Sequence, residues 1–158
     1  IPMRKSGYTQ YNKSVEYASE VLVKTFQEVS RRVHKQQNFE VTHEEYVILE
    51  IIHLNPGILQ FEIAQQISMH RSYVCKFLSQ LQKEGYIRRE EHIKGKRKII
   101  LKNFLTPNGE EIYYKIKNYI INDILLTSTD EEIEEFNRIA QKLLNRANKM
   151  KERFAIQF

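Results

Sequence analysis

Hydrophobic residues recur every three or four positions over residues 8–38, and this spacing predicts one long amphipathic helix. No Pro or Gly interrupts the stretch. At 1.5 Å per residue the helix would be roughly 46 Å long. A small domain has no core of that length, so we expect a second copy of the chain to cover the apolar face. That face carries Val15, Ala18, Leu22, Phe26, Val29 and Val33.

Three shorter helices are predicted next, over about 43–54, 61–67 and 71–84. The first begins at a capping box, in which Thr42 and Glu45 bind each other's main-chain amides, and it ends at Asn55-Pro56-Gly57. Gly85 ends the third helix because glycine adopts the left-handed conformation found there. The predicted inward residues are Val47, Ile48, Ile51 and Ile52, then Ile63, Ala64 and Ile67, and finally Val74, Phe77, Leu78 and Leu81.

After Gly85 the hydrophobic pattern changes from the period of a helix to that of a strand. Short strands are predicted over 86–91 and 98–102, and a glycine-containing hairpin tip over 92–97 joins them. Thr106-Pro107 opens a further helix, and a second capping box at Thr129–Glu132 opens the last one. The apolar positions on the first of these helices are Ile112, Ile116, Tyr119, Ile120 and Ile124. The second helix carries a heptad-like apolar seam, formed by Ile133, Phe136, Ala140, Leu143, Ala147 and Met150.

The predicted fold class is mainly α with a small β-hairpin wing. We expect a single chain over 1–158, with a winged helix-turn-helix region over 41–105 and dimerisation helices over 8–38 and 106–154. The chain has no apolar run long enough for a transmembrane helix, and its single cysteine, Cys75, cannot form an internal disulfide. These features favour a cytoplasmic homodimer.

Charge is unevenly distributed along the chain. The net charge is +5, yet residues 60–102 hold ten Lys/Arg and only four acids, so the positive excess lies in that segment. A basic segment that coincides with a winged helix-turn-helix pattern favours double-stranded DNA as the partner. The helix over 71–84 suits the major groove, where Arg71 can bind guanine with two hydrogen bonds. The predicted DNA-binding residues are Arg71, Ser72, Tyr73, Lys76, Ser79, Gln80, Lys94, Lys96, Arg97 and Lys98.

From Val41 to Gly109 the chain resembles the MarR family of bacterial regulators. The matching residues are Phe61-Glu62-Ile63-Ala64, the stretches 72–78 and 81–89, the basic tip ending at Arg97, and Leu105-Thr106-Pro107-Asn108-Gly109. The resemblance implies a two-fold dimer on a pseudo-palindromic operator, with Arg97 as the wing arginine in the minor groove. It also implies a transcriptional regulator, which we expect to be a repressor, and a small aromatic effector bound at a site that the sequence does not locate.

Three features depart from the family pattern. The stretch from Arg97 to Leu105 is about two residues longer than usual, so we expect an extended second wing strand. Gly95 stands where the family usually has an acid two residues before the wing arginine, so no side chain at that position can brace Arg97. Gln60 stands where a Ser or Thr helix cap is common before Phe61.

Catalysis, cofactors and metals have little support in the sequence. The chain has two aspartates and no Gly-rich phosphate loop, and no Ser–His or Cys–His pair is predicted to be close, so no enzyme and no cofactor are expected. The histidines lack the i, i+4 spacing of a metal site, and Cys75 is expected to be a partly buried packing residue. Two alternatives stay open: a winged-helix protein-interaction module that does not bind DNA, and a metal- or redox-responsive variant of the same regulator.

Overall fold

The computed structural model describes residues 14–96 and 98–155. It is mainly helical with one small antiparallel sheet, which confirms the predicted fold class. The elements are α1 (Val15–Gln36), α2 (His43–Leu54), β1 (Ile58–Leu59), α3 (Gln60–Ile67), α4 (Arg71–Lys83), β2 (Ile87–Lys94), β3 (Lys98–Leu105), α5 (Pro107–Ile124) and α6 (Asp130–Arg153). The chain divides into two compact units at the boundary between Ile120 and Ile121.

Local capping sets where the first two helices begin. The Tyr17 amide donates to the Ser14 hydroxyl at 3.0 Å, so α1 begins at Val15 rather than at the predicted residue 8. Residues 8–13 of the predicted helix lie outside the described residues. The capping box of α2 is confirmed, because the Thr42 and Glu45 amides each donate to the other residue's side chain at 3.2 Å.

The sheet has the strand order β1-β3-β2. β2 is longer than predicted, and β3 extends to Leu105, as the length of the stretch after Arg97 led us to expect. The two strands pair from Ile87 opposite Leu105 to Lys94 opposite Lys98. β1, which the sequence analysis missed, pairs Ile58 with Asn103. The buried Asn103 side chain donates to the Ile58 carbonyl at 2.9 Å, so the hairpin is attached to the segment after α2.

The core of the first unit is aliphatic and centres on α2, α3 and α4. The sequence pattern identified most of its members, but Val47, Ile67 and Phe77 are only half-buried. Ile124, also predicted to face inward, belongs to the second unit and is half-buried as well. The buried core includes Ile48, Leu49, Ile51, Ile52, Ile63, Ala64, Val74, Leu78, Leu81, Ile112 and Ile116.

The buried aromatic residue of α5 is Tyr113, not the predicted Tyr119, which is 51% exposed. The Tyr113 ring is fully buried and stacks on His53 at 4.6 Å and on Tyr46 at 5.7 Å between ring centroids. Stacking of this kind adds to the free energy gained by burial.

The second unit contains α6. Its capping box is confirmed, since the Glu132 amide donates to Thr129 Oγ1 at 3.1 Å and the Thr129 amide to Glu132 Oε1 at 3.0 Å. None of the residues of α6 is buried. Along residues 14–96 and 98–155, no helix combines the length and the apolar character needed to cross a bilayer.

Candidate nucleic-acid interface

Caps at both ends fix the position of α4. His70 precedes the helix, and its Nδ1 accepts from the Ser72 amide at 3.2 Å and lies 2.7 Å from the Ser72 hydroxyl. At the other end, Glu84 is the C-cap and Gly85 has a left-handed φ of 81°, as the sequence predicted. Because the opposite face of α4 is buried in the core, the helix has one well-defined surface toward solvent.

All six residues predicted on this helix to bind DNA are exposed, with the Tyr73 side chain 59% exposed. Within the described part of the chain, neither Arg71 nor Lys76 forms an ion pair, whereas Gln80 donates to the Glu84 carboxylate. The exposed surface therefore presents cationic and hydroxyl groups, the donors that bind base edges and phosphates. These residues are Arg71, Ser72, Tyr73, Lys76, Ser79 and Gln80.

Cys75 is exposed on the same surface, so the prediction of a partly buried packing residue was wrong. It follows the buried Val74 but lies four residues from both Arg71 and Ser79. Residues four apart share a helix face, so the Cys75 thiol lies beside two of the candidate DNA contacts.

The hairpin wing brings several lysines together at its tip. Lys94 and Lys98 are cross-strand partners, Lys96 lies between them, and all three side chains are exposed. Gly95 has a φ of 73°, a conformation that glycine adopts without strain. Arg97, the predicted wing arginine, lies outside the described residues.

One of the two acids of β2, Glu90, is already partnered. The Glu90 carboxylate pairs with Arg88 and lies 3.3 Å from His92 Nε2. Both partners belong to β2 and lie on the same face as Glu90. The negative charge of Glu90 is therefore offset within the strand, away from the lysines of the tip. Toward that tip Ile93 pairs with Ile99 and is 82% exposed.

Two arginines anchor the base of the wing. The Arg88 guanidinium lies over the Phe104 ring at 4.4 Å from its centroid, a cation–π contact. Arg89 Nη2 donates to Gln60 Oε1 at 3.1 Å, so Gln60 joins α3 to β2. The sequence analysis missed this role of Gln60, and Glu62 accepts the Leu59 amide at 3.1 Å where a Ser or Thr cap was the family expectation.

A histidine cluster connects α1 and α2. The His34 ring is buried, with Nδ1 2.8 Å from the Val41 carbonyl oxygen, and its Nε2 has no hydrogen-bond partner among the described residues. His43 Nδ1 lies 2.6 Å from the Ser30 hydroxyl. Burial, the largest cause in each case, lowers the pKa of both His34 and His43.

Two Ser–His contacts therefore exist, Ser30 with His43 and Ser72 with His70, so the prediction that no such pair would be close was wrong. The Ser30 side chain is buried, and His70 caps a helix, so both contacts stabilise local structure. Across the residues that the structure describes, no three His, Cys, Asp or Glu side chains are grouped so that they could hold a metal ion.

Helices α2, α3 and α4 are followed by the antiparallel hairpin of β2 and β3, and α4 exposes a basic surface. This arrangement defines a winged helix-turn-helix protein. Residues 41–99 match the profile of the MarR family. This match covers the region in which the sequence resembles that family, and it confirms the resemblance there.

Sequence comparison finds a relative in Bacillus subtilis (strain 168), the uncharacterized HTH-type transcriptional regulator YybA. It is 29% identical over 77 residues, which are 49% of this chain and 50% of the relative. The match therefore spans about half the length of that curated relative.

Structure comparison extends the likeness over most of the chain. The crystal structure of the transcriptional regulator SlyA has a TM-score of 0.67 at 20% identity and covers 89% of this chain and 98% of its own. A crystal structure of MarR has a TM-score of 0.66 at 22% identity and covers 98% of this chain and 100% of its own. The crystal structure of the S. aureus MepR–DNA complex has a TM-score of 0.61 at 18% identity and covers 87% of this chain and 99% of its own. At these identities the likeness establishes the fold, which is that of MarR-family transcriptional regulators.

Proposed function

We propose that this protein is a homodimeric, sequence-specific DNA-binding transcription regulator that acts as a repressor. The observation that carries the proposal is the exposed surface of α4, whose Arg71 and Lys76 have no acidic partner among the described residues, on the same compact unit as the lysine tip of the wing. A surface of this kind complements the phosphates and base edges of a duplex. The solved DNA complex of MepR, a protein of the same fold, supports this assignment.

In the proposed complex α4 enters the major groove, which is about 12 Å wide and admits one helix. Arg71, at the N-terminal end of α4, binds a guanine, while Tyr73 and Lys76 bind phosphates or neighbouring bases. The wing lies along the adjacent minor groove, where its cationic tip meets a strong negative potential. The tip residues in this role are Lys94, Lys96, Arg97 and Lys98.

A second copy of the chain is part of the proposal because α1 exposes a large apolar surface. Phe26 remains 39% exposed, and several aliphatic side chains on the helix are at least as open. Apolar side chains repeated along a whole helix face mark an interaction surface rather than a solvated one. A two-fold dimer would present two copies of α4 to half-sites one helical turn apart. The exposed residues of α1 are Val15, Val21, Leu22, Val23, Phe26 and Val29.

Control by a small aromatic effector completes the proposal. A cleft of about 340 Å³ lies beside the histidine cluster and is lined by Arg31, His34, Phe39 and His43, among others. The Phe39 ring suits an aromatic ligand, and an acidic group on that ligand would compete with Glu44, which pairs with Arg31 at 3.0 Å. Such a ligand would act by favouring one spacing of the two α4 helices. A panel of aromatic acids that leaves operator affinity unchanged would remove effector control from the proposal.

The direct test is fluorescence anisotropy with the duplex upstream of the protein's own gene and a scrambled duplex of equal composition. We expect tighter binding to the upstream duplex and a steep fall in affinity as salt rises. Lys96→Ala should weaken binding to both duplexes, whereas Lys24→Ala, on the exposed surface of α1, should leave both unchanged. Equal and weak binding to both duplexes at low salt would overturn the proposal and favour a protein-docking module.

A further inference from the structure

The two faces of the hairpin wing differ in chemistry toward its tip. Ile93 of β2 and Ile99 of β3 lie directly opposite each other, and they are 82% and 63% exposed. These two residues form the isoleucine pair. Within the described part of the chain, no large hydrophobic residue is more exposed than Ile93. Leu101 lies on the same face of β3 and is also open to solvent, so the apolar surface continues toward the base of the wing.

The other face of the wing is cationic near the tip. Lys94 lies opposite Lys98, one position closer to the tip than the isoleucine pair. Successive side chains of a strand point to opposite faces of the sheet, so the two lysines project away from the isoleucines. The end of the wing therefore has one apolar face and one cationic face.

The protein covers the base of the apolar face but not its outer part. Ile87 and Asn103 lie on this face near the base of the hairpin and are buried, whereas the isoleucine pair is open. A strand face in contact with water normally carries polar side chains. Exposed isoleucines at directly paired positions therefore indicate a contact surface rather than a solvated one.

Charge identifies what this surface contacts. Lys94, Lys96 and Lys98 are exposed around the isoleucine pair, and the acid of β2 on the same face, Glu91, lies two positions closer to the base. A cationic tip complements a polyanion, which favours a duplex over a second copy of the same basic wing. Proteins that bind the minor groove use apolar side chains, isoleucine among them, against base steps.

The minor groove offers such a surface a chemical difference between base pairs. An A·T pair presents only acceptors there, whereas a G·C pair adds the 2-amino group of guanine, which is a donor. The isoleucine side chain has no acceptor. A guanine amino group packed against it would lose its water without gaining a hydrogen bond, and an unsatisfied buried donor is costly. The contact therefore penalises G·C pairs and tolerates A·T pairs.

We propose that the isoleucine pair, Ile93 and Ile99, packs against base edges in the minor groove and discriminates against the guanine 2-amino group, so that the wing selects A·T pairs beneath it. This inference rests on the proposed function and adds to it a sequence preference carried by the wing. The lysines of the tip bind phosphates of any sequence, whereas the isoleucine pair distinguishes one base pair from another.

Operator duplexes that contain base analogues test this discrimination. The base pairs that flank each α4 site in the duplex upstream of the gene are made A·T, G·C, inosine·C or diaminopurine·T. Inosine lacks the 2-amino group of guanine, and diaminopurine adds that group to adenine, so the amino group varies separately from the rest of the pair. Fluorescence anisotropy should show similar affinities for A·T and inosine·C. The affinities for G·C and diaminopurine·T should be roughly tenfold lower.

Two matched double variants connect the effect to the isoleucine pair. Ile93→Val with Ile99→Val keeps the surface apolar, while Ile93→Thr with Ile99→Thr has nearly the same shape but supplies hydroxyl acceptors. Both replacements are β-branched and the positions are exposed, so neither should disturb the hairpin. The valine protein should keep most of the difference, and the threonine protein should reduce it to about twofold. Lys96→Ala is the control, which should lower all four affinities and keep their ratios.

The outcomes separate this inference from the proposed function. If inosine·C behaves like G·C, or if the threonine protein discriminates as strongly as the wild type, the inference is overturned while the proposed function stands. Self-association of the free wild type that the threonine variant abolishes would also overturn it, because the isoleucine pair would then contact a second copy. A wild-type protein that binds none of the four duplexes would contradict both.

Discussion

The main chain of Gly109 lies so close to the carbonyl of Tyr86 that a β-carbon at position 109 would stand 2.0 Å from the Tyr86 oxygen. The same oxygen accepts the Thr106 amide at 3.0 Å, and the Thr106 hydroxyl donates to the Gly85 carbonyl at 2.6 Å. These contacts connect the segment that ends α4 to the first turn of α5, so they hold the candidate DNA-binding helix in place.

Replacing Gly109 with alanine should therefore destabilise the fold. In an open helix the change would be favourable by about 1 kcal/mol, because alanine is the better helix former. Here the new methyl group meets main chain, which has little freedom to move, and we expect a net loss of roughly 1–3 kcal/mol in the free energy of unfolding. Chemical denaturation measures it, with the exposed neighbour Asn108→Ala as the control. A Gly109→Ala protein as stable as the wild type would contradict the close packing.

Arg71→Ala should reduce sequence selectivity at one base position. In the proposed complex its guanidinium binds a guanine edge, so the loss should be roughly 1–3 kcal/mol on the preferred duplex and much smaller on duplexes altered at that position. Binding to a set of single-base operator variants measures this. Equal losses on all duplexes would show that Arg71 binds phosphate instead.

Lys96→Ala and Arg97→Ala, unlike Arg71→Ala, should weaken binding to every duplex sequence by a similar factor. Loss of one phosphate contact should also reduce the slope of log affinity against log salt by about 1. The measurement is the salt dependence of binding for specific and scrambled duplexes. A slope that stays at the wild-type value in both variants would remove the wing from the interface.

Cys75 offers a chemical probe of the same surface. The thiol is exposed beside Arg71 and Ser79 on α4, so it should react with a maleimide in the free protein. A bound operator duplex should slow the reaction, while a scrambled duplex at the same concentration should protect less. Mass spectrometry of the labelled fraction over time measures both rates. Equal labelling with and without operator would show that this face of α4 does not contact DNA.

Acidification should weaken the packing of α1 on α2. Burial holds the pKa of His34 and His43 below the ordinary histidine value of 6.5, so the unfolded chain takes up protons before the folded chain does. The contribution of each neutral ring to stability is therefore complete above pH 6.5 and declines as the pH falls from 6.5 toward the lowered values. Unfolding free energies measured over this range should show a flatter pH dependence in His34→Gln. Asn108→Ala, at an exposed position without a titratable group, is the control and should keep the wild-type slope.

Features encoded by a few neighbouring residues were predictable from the sequence. The capping boxes at Thr42 and Thr129 and the left-handed Gly85 each depend on the chemistry of one short segment, and the structure confirms all three. The exposed surface of α4 followed from the spacing of Val74, Leu78 and Leu81, since helix geometry alone then determines which residues face solvent.

Contacts between distant segments were not predictable. A strand of two residues such as β1 has no period to detect, and it exists because Asn103 holds it from 45 positions away. Gln60 looked like a missing helix cap, whereas its partner is Arg89 of the wing. The exposure of Cys75 differed from expectation because one step along a helix turns a side chain by about 100°, enough to leave the core.

The central claim is that two copies of this chain hold one duplex between two basic winged surfaces. Sedimentation velocity of the full chain at low ionic strength, with and without the duplex upstream of its own gene, tests it most directly. We predict a dimer that sediments as two chains per duplex. A monomeric chain, or a dimer that leaves the duplex unbound, would contradict the account.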